Sequence, residues 1–198
     1  MNQEITNQQF VSRGGVKLQA ALDQFKTSVK DKVVLDVGSS TGGFVDCLLQ
    51  NGASKVYALD TCYGELAWKL RNDPRVVVME RTNILHLEEL PEPVDLITID
   101  AGWTKLELVL PVVQKFLKKD GEIIALLKPH YEAQKKDLVK GVVPQELVEQ
   151  IKDQVIKRIQ DLGFKVEGII DSPILGGAGN KEYLLLLKSL NITKILDY

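Results

Sequence analysis

Apolar positions along the chain follow two alternating spacings, which predict strands and helices in turn. Short runs rich in β-branched residues, such as Val33–Val37 and Ile123–Leu127, are typical of buried parallel strands. Between these runs, apolar residues recur three and four positions apart, as expected of helices with one buried face. The predicted strands are Lys32–Val37, Lys55–Asp60, Arg75–Glu80, Val94–Asp100, Glu122–Leu127, Lys165–Ile170 and Tyr183–Lys188. The predicted helices cover residues 16–26, 43–51, 65–71 and 108–117, and a long segment that begins at Pro144 or Gln145.

The order of these elements predicts the fold. Strands that alternate with helices form a doubly wound, mostly parallel sheet with right-handed crossovers. The segment Ser172–Asn180 is too short for a crossover helix, so the last two strands are expected to pair antiparallel. A seven-stranded α/β sheet with a reversed last strand is the Rossmann-like architecture of class I methyltransferases. The 198 residues are most simply one such domain, with residues 1–9 as a loose polar tail.

The first predicted strand runs into a glycine-rich turn and then a helix. Glycines let the backbone approach a ligand closely, and a strand–turn–helix unit of this kind is typical of nucleotide-like ligands. The turn contains neither G-x-G-x-x-G nor Gly-Lys-Ser/Thr, which favours a ligand with a ribose but no pyrophosphate, namely S-adenosylmethionine. An ordinary turn is the alternative. The candidate cofactor-binding residues here are Asp36, Gly38, Ser39, Ser40, Thr41, Gly42, Gly43 and Phe44.

Polar residues also stand at or just beyond the ends of other predicted strands. Asp60 follows the glycine turn at roughly the distance of a ribose-binding acid, about 20 residues, and Thr61 is next to it. Asn83 falls where class I methyltransferases read the adenine, although a helix cap is equally plausible. Asp100 ends the fourth strand. Because ligands of such sheets bind over the carboxyl ends of the strands, we expect one shared site.

Lys128 is the candidate for chemistry. It ends a buried apolar run and precedes Pro129, so its ammonium is partly desolvated, and a carboxylate such as Asp100 would fix its position. A lysine there suits a general base or a group that stabilises an alkoxide. A surface lysine or a structural ion pair is the alternative reading.

Composition narrows the classes of partner. A net charge of −2 and a pI near 5.8 argue against a generic nucleic-acid binder but permit a local basic face. Arg13 with Lys17, and Lys135 with Lys136, are candidates for it, although solvated surface explains them as well. Two cysteines are too few for a disulfide framework or a zinc cluster, so we expect no metal and a reducing cytoplasm. No apolar run approaches the ~20 residues of a membrane helix.

Several motifs appear in a fixed order from about residue 10 to residue 188. They are residues 12–18 (Ser-Arg-Gly-Gly-Val-Lys-Leu), 36–44, 63–71, 73–76, 80–83, 128–129, 172–174 and 179–184. In these motifs the chain resembles the FtsJ-like ribose 2′-O-methyltransferases, most closely the TlyA, or haemolysin A, branch. The resemblance implies methyl transfer from S-adenosylmethionine to a ribose 2′-hydroxyl of RNA. It also implies ribosomal RNA or ribosomal subunits as partner.

The resemblance further implies a catalytic tetrad. The Lys-Asp-Lys-Glu set of the family falls on Lys17, Asp100, Lys128 and Glu182. By this resemblance Lys128 removes the proton or stabilises the alkoxide, Asp100 orients it, and the other two complete the network. The residues taken alone point only to Asp100 and Lys128. A solvated helix lysine and a strand-edge charge would otherwise explain Lys17 and Glu182.

The chain departs from the branch where substrate would bind. Residues 101–105 read Ala-Gly-Trp-Thr-Lys instead of Val-Ser-Phe-Ile-Ser, and residues 128–132 read Lys-Pro-His-Tyr-Glu instead of Lys-Pro-Gln-Phe-Glu. We also expect the N-terminal S4 RNA-binding module of the branch to be missing. Candidate substrate-binding residues are Arg13, Trp103, His130, Tyr131, Lys135 and Lys136, with Trp103 either stacking on a base or packing a helix start. A catalytically silent cofactor-binding protein on ribosomes and a small-molecule O-methyltransferase remain open.

Overall fold

The computed structural model describes residues 9–190, which form one seven-stranded sheet with helices on both faces. The strands are β1 (Val33–Val37), β2 (Lys55–Leu59), β3 (Val76–Met79), β4 (Val94–Ile99), β5 (Leu117–Leu127), β6 (Phe164–Asp171) and β7 (Tyr183–Ser189). The helices are α1 (Gly14–Phe25), α2 (Gly43–Gln50), α3 (Trp68–Arg71), α4 (Leu106–Val113), α5 (Pro129–Glu132) and α6 (Gln145–Asp161). Of the predicted loose tail, only Gln9 lies among the described residues, and its carbonyl accepts a hydrogen bond from the Gln50 side chain.

The sheet has the order β3-β2-β1-β4-β5-β7-β6. β7 runs antiparallel to both of its neighbours, β5 and β6, while the remaining neighbouring pairs are parallel. The predicted reversal of the last strand is therefore confirmed. The carboxyl ends of β1, β2, β4 and β5 lie together along one edge.

Two apolar layers cover the sheet, one on each face. Successive side chains of a strand point to opposite faces, so Leu35 and Val34 of β1 enter different layers. The Leu35 layer includes residues of α4 and α6, such as Val109 and Val155. The Val34 layer includes α1 and α2, such as Leu18. Each layer excludes water from one side of β1, which explains why that strand is almost wholly apolar.

The larger differences from the predicted elements occur at four places, and most other boundaries differ by one or two residues. The helix expected over residues 65–71 begins only at Trp68, because Gly64 (φ +78°) donates its N–H to the Glu80 carboxylate and holds the preceding residues as a loop. The helix expected over residues 108–117 covers Leu106–Val113 instead. β5 starts at Leu117, which pairs with Val94 before a register shift. The one-turn helix α5 follows from a proline at its first position.

Among the described residues, no helix combines the length and the apolarity that a membrane span requires.

Candidate active site

The turn after β1 brings its backbone against the loop after β4. Gly38 has φ +86°, and a Cβ there would lie 2.7 Å from the carbonyl oxygen of Asp100. Both the backbone conformation and this close approach require glycine. Gly42 has φ +100°, and a Cβ there would meet the side chains of Leu66 and Leu70, so this position of the turn also requires glycine.

Asp60 holds the glycine turn with both carboxylate oxygens. Its Oδ2 accepts the Ser40 N–H at 2.7 Å, and its Oδ1 accepts the Cys62 N–H at 2.8 Å. A carboxylate offers about four acceptor positions, so about two are left for hydroxyl groups of a ligand. Asn83 accepts the Leu85 N–H at 3.0 Å and thus caps a short 3-10 helix while also lining the adjacent cavity. The two interpretations of Asn83 are therefore compatible.

Two cavities lie over the carboxyl ends of the strands. The first, of about 390 Å³, runs from Asp60, Thr61 and Asn83 to the loop that contains Trp103. The second, of about 340 Å³, lies between the glycine turn and the start of β7. Both are lined by Gly38, Ser40, Asp100 and Lys128. The second is also lined by Arg13, Lys17, Ser39, Thr41, Gly43, Phe44, His130, Tyr131 and Glu182.

The four residues of the tetrad form two ion pairs in the second cavity. Lys128 Nζ lies 2.5 Å from Asp100 Oδ1, at the boundary between the cavities. Lys17 Nζ lies 2.5 Å from Glu182 Oε2, and the side chains of this second pair are only 6% and 3% exposed. The tetrad thus combines a partly exposed pair, Lys128 with Asp100, and a second pair that is buried.

Three aromatic side chains form a row next to Lys128. The ring centroids of His130 and Tyr131 are 4.2 Å apart, and those of Tyr131 and Trp103 are 5.0 Å apart. Lys128 Nζ is 5.4 Å from the Tyr131 centroid. Trp103 is 88% exposed, so its ring is open to a further partner. Burial lowers the pKa of His130, whose Nδ1 has no hydrogen-bond partner among residues 9–190.

Some predicted site residues do not reach these cavities. Asp36 lies beneath the turn, 1% exposed, where its Oδ1 accepts the Thr98 hydroxyl at 2.6 Å. Burial raises the pKa of Asp36 to about 7. Asp36, like Gly42, is absent from the lining of both cavities, because the strand end and the turn cover it. Lys135 and Lys136 lie on an exposed 3-10 turn outside both cavities.

Sequence reasoning missed several residues of the site. Ser12 lines the second cavity, and Glu65 lines the first and accepts the Ser40 hydroxyl at 3.1 Å. Their positions inside the quoted motifs were the only signal. Asn180 lies inside the motif of residues 179–184, and Glu132 lies inside the segment of residues 128–132. Both tie loops of the site together through contacts with residues far away in sequence, which no local pattern predicts. No group of three or more His, Cys, Asp and Glu side chains suited to a metal occurs in the described part of the chain.

The sheet order, with its antiparallel last strand, is that of the class I methyltransferase fold. Two solved structures of low identity share this fold. A candidate S-adenosylmethionine-dependent methyltransferase from Listeria monocytogenes matches at TM-score 0.64 and 17% identity, over 89% and 98% of the two chains. The N-methyltransferase NodS from Bradyrhizobium japonicum matches at TM-score 0.63 and 12% identity, over 89% and 86%. The family model of the FtsJ-like methyltransferases matches residues 10–189, and the chain belongs to that family.

Relatives within the family carry rRNA methyltransferase and hemolysin names. The chain is 46% identical to YqxC of Bacillus subtilis, a candidate rRNA methyltransferase, over 90% of the chain and 65% of YqxC. It is 43% identical to the 16S/23S rRNA (cytidine-2'-O)-methyltransferase TlyA of Mycobacterium tuberculosis, over 91% of the chain and 69% of TlyA. A candidate hemolysin from Lactococcus lactis matches at TM-score 0.87 and 44% identity, over 91% and 88% of the two chains. The chain thus spans about two thirds of the length of these two curated relatives.

Proposed function

We propose that the protein is an S-adenosylmethionine-dependent methyltransferase that modifies a ribose 2′-hydroxyl of ribosomal RNA in the cytoplasm. One observation carries the proposal: the Lys128–Asp100 ion pair lies where the two cavities meet. A group at this boundary can act on an atom that passes from a ligand in one cavity to a ligand in the other. The names of the two relatives support RNA as the acceptor.

The first cavity fits the cofactor. Gly38 lets the glycine turn pack directly against the Asp100 carbonyl, and the remaining acceptor positions of Asp60 suit the two hydroxyls of a ribose. Asn83 and Ile84 line the end of this cavity that would take the adenine. Bound S-adenosylmethionine supplies an electrophilic methyl group on its sulfonium.

The side chains of the protein must orient the acceptor oxygen and help to remove its proton. A ribose 2′-hydroxyl is a weak acid, so a cation next to the developing oxyanion lowers the barrier. Lys128 supplies that cation, or, as the neutral amine, accepts the proton. Asp100 holds the lysine nitrogen in one position, so that Lys128 is already oriented when the acceptor oxygen binds.

The rim of the second cavity suits RNA. Arg13 is exposed there and can pair with a phosphate, and His130 and Tyr131 line it. Trp103, which lines the first cavity, extends this aromatic surface from Tyr131. Unpaired RNA bases stack on such rings. Both features are local, which is consistent with the acidic pI of the whole chain.

Transfer of labelled methyl groups to unmodified ribosomal subunits tests the proposal. We expect wild type to label the RNA and Lys128→Ala to be slower by roughly 10²- to 10⁴-fold. Lys165→Ala is the matched control, because Lys165 is exposed on β6, where it pairs with Glu167. Equal rates for wild type and Lys128→Ala would contradict the proposed chemistry. Cofactor binding without transfer to any RNA would favour a catalytically silent cofactor-binding protein. Transfer only to small molecules would favour a small-molecule O-methyltransferase.

A further inference from the structure

Glu132 connects the turn that carries Lys128 to the loop after β4. The Leu106 N–H, at the start of α4, donates to Glu132 Oε1 at 2.9 Å. The Glu132 side chain is 3% exposed. The loop of residues 101–105 lies between Asp100 and Leu106. One end of this loop is therefore tied to Lys128 by the ion pair with Asp100, and the other end is tied to Glu132.

A second charge holds Glu132 in place. Its Oε2 lies 3.2 Å from Nη2 of Arg158 in α6, and Nε of Arg158 lies 3.0 Å from the carboxylate of Glu107 in α4. Arg158 thus connects α6 with both α4 and α5. A buried carboxylate is costly unless it is paired and hydrogen-bonded, and here it is both.

The local sequence does not provide this contact. Lys105 occupies the N-cap of α4 and makes no side-chain capping bond. Helix starts are commonly capped by Ser, Thr, Asp or Asn at that position. Glu132, 26 residues beyond Leu106, instead provides from α5 a side-chain acceptor for the first N–H of the helix. The start of α4 is therefore positioned relative to α5 by one side chain.

The pair of rings at the mouth of the site depends on that relative position. Trp103 lies in the middle of the tied loop, and its partner Tyr131 precedes Glu132 in α5. Because Trp103 is largely exposed, packing against the protein core does little to fix the position of its ring. Both ends of the loop are tied to α5 or to the residue before it, and the two ring centroids lie 5.0 Å apart.

We propose that Glu132 is a positioning residue that sets the Trp103–Tyr131 pair and thereby the placement of the RNA base beside Lys128. Its role as an aid to substrate placement rests on the proposed function. The contact itself, and its effect on Trp103, do not.

Fluorescence of Trp103 tests the geometry without RNA. The chain has two tryptophans, and Trp68→Phe leaves Trp103 as the single tryptophan, which can be excited selectively above the tyrosine absorption. In that background, Glu132→Met keeps the volume but removes the acceptor, Glu132→Gln keeps an acceptor oxygen, and Tyr131→Ala serves as the reference for a released Trp103. We expect the fast component of the fluorescence anisotropy decay to grow in Glu132→Met as it does in Tyr131→Ala, and Glu132→Gln to resemble wild type. An unchanged decay in folded Glu132→Met would overturn the proposal.

Hydrogen exchange provides a measurement that needs no variant. The Leu106 amide of the wild-type protein is expected to be protected, because its N–H is buried against Glu132. Exchange at the rate of an unstructured amide would overturn the proposal even if Glu132→Met fails to fold.

Kinetics connect the contact to the reaction. For Glu132→Met we expect KM for ribosomal subunits to rise on the order of tenfold, with a smaller change in kcat, and rescue by Glu132→Gln. An unchanged KM would contradict the role in substrate placement. If the wild-type protein transfers no methyl group, but Glu132→Met still changes the anisotropy decay of Trp103, only the proposed function is contradicted.

Discussion

At the scale of single residues, Asp36 shows how burial changes the role of an acid. It ends β1 just before the glycine turn, as a ligand-binding acid would, yet it lies under the turn with its Oδ1 bonded to Thr98. Loss of solvation on burial raises the pKa of Asp36 to about 7, and the bond from Thr98 opposes that shift. Asp36 therefore acts on the pH dependence of stability.

The sign of that dependence follows from the raised pKa. The folded state holds a proton on Asp36 that the unfolded state releases near pH 3.8. This stabilising contribution is complete below pH 3.8 and is lost as the pH rises to about 7, at up to ~1.4 kcal/mol per pH unit. We expect Asp36→Asn, which keeps an acceptor for Thr98, to remove this slope. Denaturant titrations of both proteins across that range measure it, and equal slopes would contradict the assignment.

Gly38 supplies a second prediction at this scale. Any side chain there meets the Asp100 carbonyl and also requires φ +86°. We expect Gly38→Ala to lower the free energy of unfolding by about 1–3 kcal/mol and to weaken cofactor binding. Calorimetric titration with S-adenosylhomocysteine checks the binding, and Gly141→Ala is a control, since it has a similar φ of +81° but open space around it. Equal affinities for the two variants would contradict a role for the close approach.

At the scale of elements, the buried Lys17–Glu182 pair connects α1 with β7. Removal of one member leaves an uncompensated charge in a site that is almost closed to water. We expect Glu182→Leu or Lys17→Met to cost roughly 3–5 kcal/mol of stability, and the double variant to recover most of that loss. Thermal or denaturant unfolding of the four proteins completes the cycle.

Measuring methyl transfer in the same variants distinguishes a structural role of the Lys17–Glu182 pair from a role in the reaction. Both residues line the second cavity with Lys128, so the double variant should remain impaired in methyl transfer even when its stability returns. Recovery of full activity together with stability would show that the pair only holds α1 in place.

At the scale of the whole molecule, the apolar periodicity predicted the strands and helices of the sheet, and the short connection Ser172–Asn180 predicted its reversed last strand. Asp60, Asp100 and Lys128 could be found because parallel strands bring their ends together. Lys17 and Glu182 are 165 positions apart and needed the resemblance to the family. The Glu132–Leu106 contact had no local signal at all. The early start of β5 depends on pairing with Val94 across a shifted register, which no pattern within β5 indicates.

The identity of the methylated atom tests the central claim most directly. Ribosomal subunits treated with the protein and methyl-labelled S-adenosylmethionine can be digested to nucleosides and analysed by mass spectrometry. The account predicts a single 2′-O-methylated nucleoside, with an alkali-resistant linkage at one position, that is absent when Lys128→Ala is used. A labelled base on an unmodified ribose would contradict it.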